Sequence, residues 1–254
     1  MKKHALMLAF GLSVIPLLSP AATIWTETFT YPDGSLTNVS EPLWTTHSGT
    51  GTPIVVTNGV VTGMSAGSGS REDSNRLLDT SYSSGVLYAG FDLTLALTAA
   101  PVSSAYFAHF KDATTSGFRG RVFIGAPTTS GFRLGLENDA GDNGASVIFT
   151  GDLSLGTTYR VVLAYDTGAG TSSLWVNNSD VDSPDLEDTT PATLLTITSF
   201  ALRQGATAPG AYTGLNLDNL ILATDFASAV PEPSSAAFAT LAGIASLLIV
   251  RRKR

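Results

Sequence analysis

Five acidic residues crowd into one short stretch, Asp180, Asp182, Asp185, Glu187 and Asp188 in NNSDVDSPDLEDTT. Hard carboxylate oxygens at near-alternating positions are what calcium selects, and a loop can wrap the ion. Asp180, Asp182 and Asp185 are the candidate ligands. Pro184 and the missing turn glycine exclude an EF-hand, and a solvated acidic loop is the alternative. Gly63-Met64-Ser65-Ala66-Gly67 matches G-x-S-x-G, in which a serine nucleophile sits on a strand-to-helix turn. A Gly/Ser-rich stretch follows it instead of a helix, so Ser65 reads as loop. His47 and His109 lie far apart in the sequence and offer too few nitrogen ligands for zinc. Trp25, Trp44 and Trp175 could stack on sugar rings, although strand aromatics usually pack in cores. Trp44 is the candidate ligand-binding residue, because Pro42 nearby suggests a loop. Arg119, Arg121 and Arg133 could form a basic stripe across neighbouring strands, with ordinary surface pairing as the alternative.

The elements that must position these groups are strands. Thr23 to Thr30 is β-rich and runs into the turn Tyr31-Pro32-Asp33-Gly34. Asn58-Gly59 is the favoured two-residue hairpin turn between Ile54–Thr57 and Val60–Gly63. Phe91, Leu93, Leu95 and Leu97 alternate with polar or small residues, which predicts one buried and one wet face. Further strands are expected at Ala105–Phe110, Phe118–Gly125, Gly131–Leu136 and Val147–Thr150. Tyr159–Tyr165 should pair with Ser173–Val176, and Leu194–Leu202 and Leu215–Ala223 close the body. No stretch of the body sustains a helical period. The whole predicts one all-β sandwich over residues 23–229.

Composition narrows the function. With Lys2, Lys3 and the four C-terminal cations set aside, the body carries eight basic residues against twenty acidic ones, and its one lysine is Lys111. That balance argues against nucleic acid and anionic membrane surfaces as partners. The chain has no cysteine, so its stability must come from the core rather than disulfides. No cofactor signature is present, and calcium is the one candidate.

Both ends read as targeting segments. Lys2, Lys3 and His4 precede the apolar run Ala5 to Leu18 and the small-residue exit Ser19-Pro20-Ala21-Ala22, the pattern of a secretory signal peptide over residues 1–22. At the other end, residues 230–254 hold Pro231-Glu232-Pro233, the apolar run Ala236 to Val250, and Arg251, Arg252, Lys253 and Arg254. A helix over about 234–250 is slightly short of the ~20 residues that cross a bilayer, and spans if the terminal arginines snorkel. The four cations would then lie on the cytoplasmic side of the inner membrane. The two prolines keep the triplet extended and accessible where the helix begins.

This tail resembles the PEP-CTERM sorting signal of exported Gram-negative proteins, with triplet, short helix containing Gly243 and basic cluster in the same order. The resemblance implies an exosortase-type membrane protease as partner, acting near the triplet and removing the helix. An ordinary C-terminal anchor is the alternative. The body resembles the concanavalin A-like (laminin-G-like) jelly-roll sandwich of secreted proteins. Glu27–Leu36 (ETFTYPDGSL), Tyr159–Asn178 (YRVVLAYDTGAGTSSLWVNN) and Leu217–Leu222 (LDNLIL) carry that likeness. Glu137, Asp139 and Asp142 are similar in spacing to the strand carboxylates of laminarinase-type glycoside hydrolases. Here Asn138, Ala140 and Gly141 replace the apolar spacers, and Asp142 stands where that motif ends in a second glutamate. A retaining mechanism needs two carboxyls held about 5–5.5 Å apart, which a Gly-Asp-Asn-Gly turn does not provide.

These readings converge on an exported, non-catalytic sandwich of the envelope or extracellular matrix, binding glycan or serving in adhesion, with extracellular polysaccharide as its candidate partner. A carbohydrate-active enzyme of the same fold and a membrane-tethered structural protein without a ligand are the alternatives.

Overall fold

The computed structural model describes residues 22–67, 70–96, 100–139, 144–205 and 211–230. The signal peptide up to residue 21, Leu97, Asp142, the Pro231-Glu232-Pro233 triplet, the helix at about 234–250 and the cations Arg251 to Arg254 lie outside the described residues.

In chain order come β1 (Thr23–Glu27), β2 (Gly34–Ser35), the single-turn α1 (Leu36–Val39), β3 (Trp44–Ser48), β4 (Val55–Thr57), β5 (Val60–Met64), β6 (Asp73–Tyr82), β7 (Val86–Leu95), β8 (Ala105–Lys111) and β9 (Phe118–Gly125). Then follow β10 (Arg133–Glu137), β11 (Val147–Ile148), β12 (Thr158–Asp166), β13 (Thr171–Val176), β14 (Leu186–Asp188), β15 (Ile197–Leu202), β16 (Leu215–Ala223) and α2 (Phe226–Ala229). Among the described residues these strands form two antiparallel sheets. The back sheet runs β14-β13-β12-β7-β16-β5-β4-β2, with β1 also paired to β16. The front sheet runs β11-β10-β9-β8-β15-β6-β3.

The alternation expected in β7 is present: Leu87, Ala89, Phe91, Leu93 and Leu95 are buried, and Asp92 and Thr94 are half-buried on the other face. Phe91 meets Phe107 of β8 edge-on at 5.9 Å, one of the contacts that close the two inner faces into a core. The β4–β5 hairpin turns through Asn58 and Gly59 at φ 51° and 77°, the left-handed pair that a type I′ turn requires.

Besides the two-residue β2, three strands were not expected from the sequence. The segment of β6 opens on buried polar residues, Asp73, Ser74 and Asn75, and lacks an apolar alternation. The acidic stretch contains β14, whose Leu186 and Asp188 point inward. The third, β3, corrects the reading of Trp44 as an exposed loop residue: it is 1% exposed, with Phe29 at 6.1 Å and Trp25 at 6.3 Å. Its ring is sealed in the core and cannot stack on a sugar.

Trp44 is part of a buried clasp centred on Glu27. One oxygen of Glu27, Oε2, accepts from Tyr31 Oη (2.7 Å), Trp44 Nε1 (3.0 Å) and Arg76 Nη1 (2.7 Å). The other, Oε1, accepts from the Phe29 amide at 2.8 Å. Glu27 stands on β1 of the back sheet, whereas Trp44 and Arg76 stand on β3 and β6 of the front sheet, so one carboxylate ties the sheets together. Arg76 also lies 4.3 Å above the Trp25 ring. Burial and the bond to Glu27 hold the Tyr31 phenol well above its ordinary pKa. Phe29 sits at φ 48°, a left-handed conformation that costs a bulky residue about 1–2 kcal/mol. Its bond to Glu27 and its burial fix that geometry.

A smaller apolar cluster covers part of the outer face of the back sheet. Phe226 of α2 packs 4.8 Å from Trp175 and 5.9 Å from Tyr88, beside Val162, Ala164 and Ala223. Asp225 caps the turn by accepting from the Ser228 amide at 2.9 Å, and Arg160 Nη2 donates to the Ala229 carbonyl at 2.6 Å. At the other end, β1 enters beside β16, where the Thr224 amide donates to the Ala22 carbonyl at 3.0 Å. Both ends of the described chain are therefore held by the back sheet.

Removing the Glu27 charge leaves Arg76 buried without its counter-ion. Glu27→Gln is expected to lower stability by about 3 kcal/mol in urea denaturation, with part recovered when Arg76→Met is added.

Candidate functional site

The outer face of the front sheet gathers the polar groups that the core rejects. A register shift between Tyr106 and Ala108 in β8 sets Phe107 and Ala108 both into the core. Beyond it the alternation is reset, so His109 and Lys111 share the outer face with Tyr106. Cross-strand partners extend that face: Ala201 opposes His109 and Ser199 opposes Lys111 on β15, and Asn75 and Leu77 continue it on β6.

The middle of the face is filled by stacked rings and cations. His109 has no exposed surface and lies 4.5 Å from Phe118, 5.4 Å from Tyr106 and 6.0 Å from His47. Tyr106 in turn meets Phe123 at 5.4 Å and lies under Arg203 at 4.1 Å and Arg121 at 5.0 Å. Asp73 anchors this end, accepting from the Gln204 and Gly205 amides and from Ser48 Oγ, with Arg203 Nε at 3.9 Å. The fold thus unites two histidines that the sequence sets far apart.

To one side of this stack lies a groove of about 470 Å³, lined by His47, Asn75, Leu77, Lys111, Ser199 and the β8–β9 loop at Thr114 and Thr115. Among the described residues neither ring nitrogen of His47 has a hydrogen-bond partner, and the buried Ser199 Oγ has none. Lys111 is 6% exposed; its ammonium donates to the Asp112 carbonyl at 2.9 Å. The Asp112 carboxylate is turned to the amide and hydroxyl of Thr114, at 2.8 and 2.7 Å. No carboxylate forms an ion pair with Lys111 among the described residues. Burial lowers the Lys111 pKa against the field of Asp112, and burial likewise lowers that of His47, with Asp73 pulling the other way and Lys111 and Arg203 adding to the drop. Exposed Leu77 gives the groove an apolar rim. At the far end a smaller groove, about 270 Å³, is lined by Phe123, Arg133, Gly135, Ala145 and Ile148.

The other candidates fall elsewhere. Asp185 Oδ2 accepts from the Val176 amide and Asp180 Oδ1 from the Asp182 amide, contacts that shape the exposed β13–β14 loop. Among the described residues no three acidic or imidazole groups converge as a metal site, so Asp180, Asp182 and Asp185 are not brought together as ligands. Buried Asp188 instead accepts from the Asn138 and Thr190 amides and so ties β14 to the end of β10. Glu137, opposite Arg121, bonds the Asp139 amide and Ser146 Oγ. Ser65 is in a loop, its hydroxyl on the Gly63 carbonyl. The three arginines form no stripe: Arg121 and Arg133 are on the outer face, whereas Arg119 pairs opposite core Phe110 and donates to the Thr193 carbonyl.

Neither a family model nor a curated protein sequence matches the chain. Solved structures do. The chain is similar to the alginate lyase Aly36B, solved as a double mutant with an alginate tetrasaccharide, with TM-score 0.52 and 14% identity over 79% of this chain and 97% of that one. It is also similar to the CBM2 module of the evolved Dit protein of Lactobacillus casei BL23 phage J-1, with TM-score 0.53 and 8% identity over 80% and 95%. At these identities the likeness is one of fold, an all-β sandwich.

His109 generates a pH prediction. Burial holds its pKa well below the ordinary 6.5, and His47, Arg203, Arg121 and Lys111 add to the drop. The unfolded chain therefore takes up a proton that the fold refuses, so stability is complete above about pH 6.5 and falls as pH drops toward the depressed folded value. Melting temperatures from about pH 7.5 to about pH 5.5 are expected to fall, and less steeply in His109→Phe.

Proposed function

We propose that the chain is an exported, non-catalytic glycan-binding sandwich of the concanavalin A-like (jelly-roll) type that takes a polysaccharide on the outer face of its front sheet. The observation that carries this is the groove beside the ring stack, lined by His47 and Ser199, whose buried polar atoms have no partner among the described residues, and by Lys111, whose ammonium meets a backbone carbonyl, with Leu77 as an apolar rim. Sugar rings present hydroxyls to such groups and C–H faces to such a rim. The similar solved structures, one holding an alginate tetrasaccharide and one a CBM2 module, support the reading.

Export through residues 1–22 and handling by an exosortase-type protease at Pro231-Glu232-Pro233 complete the proposal. On this reading the helix at about 234–250 and Arg251 to Arg254 hold the chain in the inner membrane until processing, after which it joins the envelope or extracellular matrix. The competing reading, a carbohydrate-active enzyme of the same fold, gains from the lyase likeness. It would release new sugar ends from a polymer. Glu137 gives it little support, since its oxygens are engaged by Asp139 and Ser146.

Two measurements test the proposal. In affinity electrophoresis through gels containing different polysaccharides, at least one polymer should retard the purified protein without losing chain length; no retardation, or depolymerisation, defeats the reading. Adding a chelator separates a calcium contribution at Asp180, Asp182 and Asp185, which would show as lost retardation. Mass spectrometry of the protein from its host is expected to find a mature chain starting near Thr23 and lacking Ala236 to Arg254; an intact tail rules out processing.

A further inference from the structure

The groove also says what kind of glycan fits it, on the premise that this face is a glycan site. Lys111 is the only lysine of the body, and the fold puts it where a lysine is expensive. Its side chain is almost wholly buried, it spends one hydrogen bond on a backbone carbonyl, and no carboxylate pairs with it among the described residues. An ammonium drawn out of water without a paired counter-ion is destabilising, and chains normally avoid it or neutralise it. The obvious neutraliser is one residue away, yet the Asp112 carboxylate is turned into its own loop by Thr114.

The neighbours of Lys111 fit the same ligand. Ser199 stands directly across from it on β15 with a buried hydroxyl that has no partner among the described residues. His47 closes the far wall with both ring nitrogens unpartnered. One cation and one hydroxyl converge, beside an imidazole that donates from one nitrogen and accepts at the other. An anionic oxygen takes the ammonium and the hydroxyl proton, and the imidazole can serve a neighbouring sugar hydroxyl. On the same face Arg203 has Asp73 at 3.9 Å and Arg121 lies opposite Glu137, so Lys111 is the cation there without a paired carboxylate among the described residues.

We infer that the groove of His47, Lys111 and Ser199 binds an acidic polysaccharide by an anionic substituent, with Lys111 as its counter-ion. The carboxylate of a uronic acid and a sulfate ester share the chemistry required, and the experiment separates them. A neutral glycan leaves the ammonium as unpaired as it is now.

The test runs the full protein through affinity gels containing a polyuronate, a sulfated polysaccharide or a neutral glucan, at low and raised salt, beside Lys111→Met and Ser199→Ala. The expected result is retardation by the polyuronate or the sulfated polymer that weakens with salt, little by the glucan, and at least about a tenfold affinity loss in Lys111→Met. Thermal melts without polymer keep the variant interpretable: Lys111→Met should melt at or above the parent temperature, because it removes an uncompensated buried charge. Retardation by the glucan alone, unchanged in Lys111→Met, overturns the anionic ligand while leaving a glycan site. Binding of acidic polymer as tight in Lys111→Met as in the parent overturns the role of Lys111. Retardation by none of the polymers overturns both the inference and the reading beneath it.

Discussion

The Glu27 carboxylate is the contact on which the arrangement of the two sheets turns. Two apolar faces attract one another without specifying register, because the hydrophobic effect has no direction. A buried carboxylate is different: every lone pair left unsatisfied is costly, so the donors must arrive from fixed directions. Glu27 receives a phenol, an indole, a guanidinium and an amide from four places in the chain. Satisfying all of them sets β1 against β3 and β6, and bends the backbone into its left-handed turn at Phe29. The front sheet inherits its position from that clasp, and the groove inherits its position from the front sheet, since Asn75 and Leu77 lie on the same strand as Arg76.

Much of the scaffold was legible in the sequence. The apolar alternation of β7, the Asn58-Gly59 turn and the pairing of β12 with β13 all stand as read, because each is specified within a few residues by side-chain period or by a backbone conformation few residues accept. What escaped had a different origin. Asp73, Ser74 and Asn75 are buried polar strand residues, and the Asp73 carboxylate is satisfied by amides more than a hundred positions away. Local pattern cannot reveal that. Trp44 looked available because a proline precedes it, while its indole proton was reserved for Glu27 across the core.

The site was the least legible part, for a reason that one register shift explains. Strict alternation from Tyr106 would divide Tyr106 from His109 and Lys111, and the sequence offers no signal that Phe107 and Ala108 both turn inward. The lone lysine was the available clue. Its meaning depends on the absence of a paired carboxylate among the described residues, and that is a property of the folded surroundings. The acidic stretch shows the converse, since its visible cluster of carboxylates is divided between a loop and the strand β14.

The clamp of α2 has a geometrical consequence. Phe226 and Arg160 hold the chain against the back sheet up to Val230, and the first strand begins at that sheet too. The groove opens on the opposite side, with both sheets and the core between. The two described ends, Ala22 and Val230, therefore lie at the rear of the domain, and on the proposed reading a polymer on the front face would not cross them.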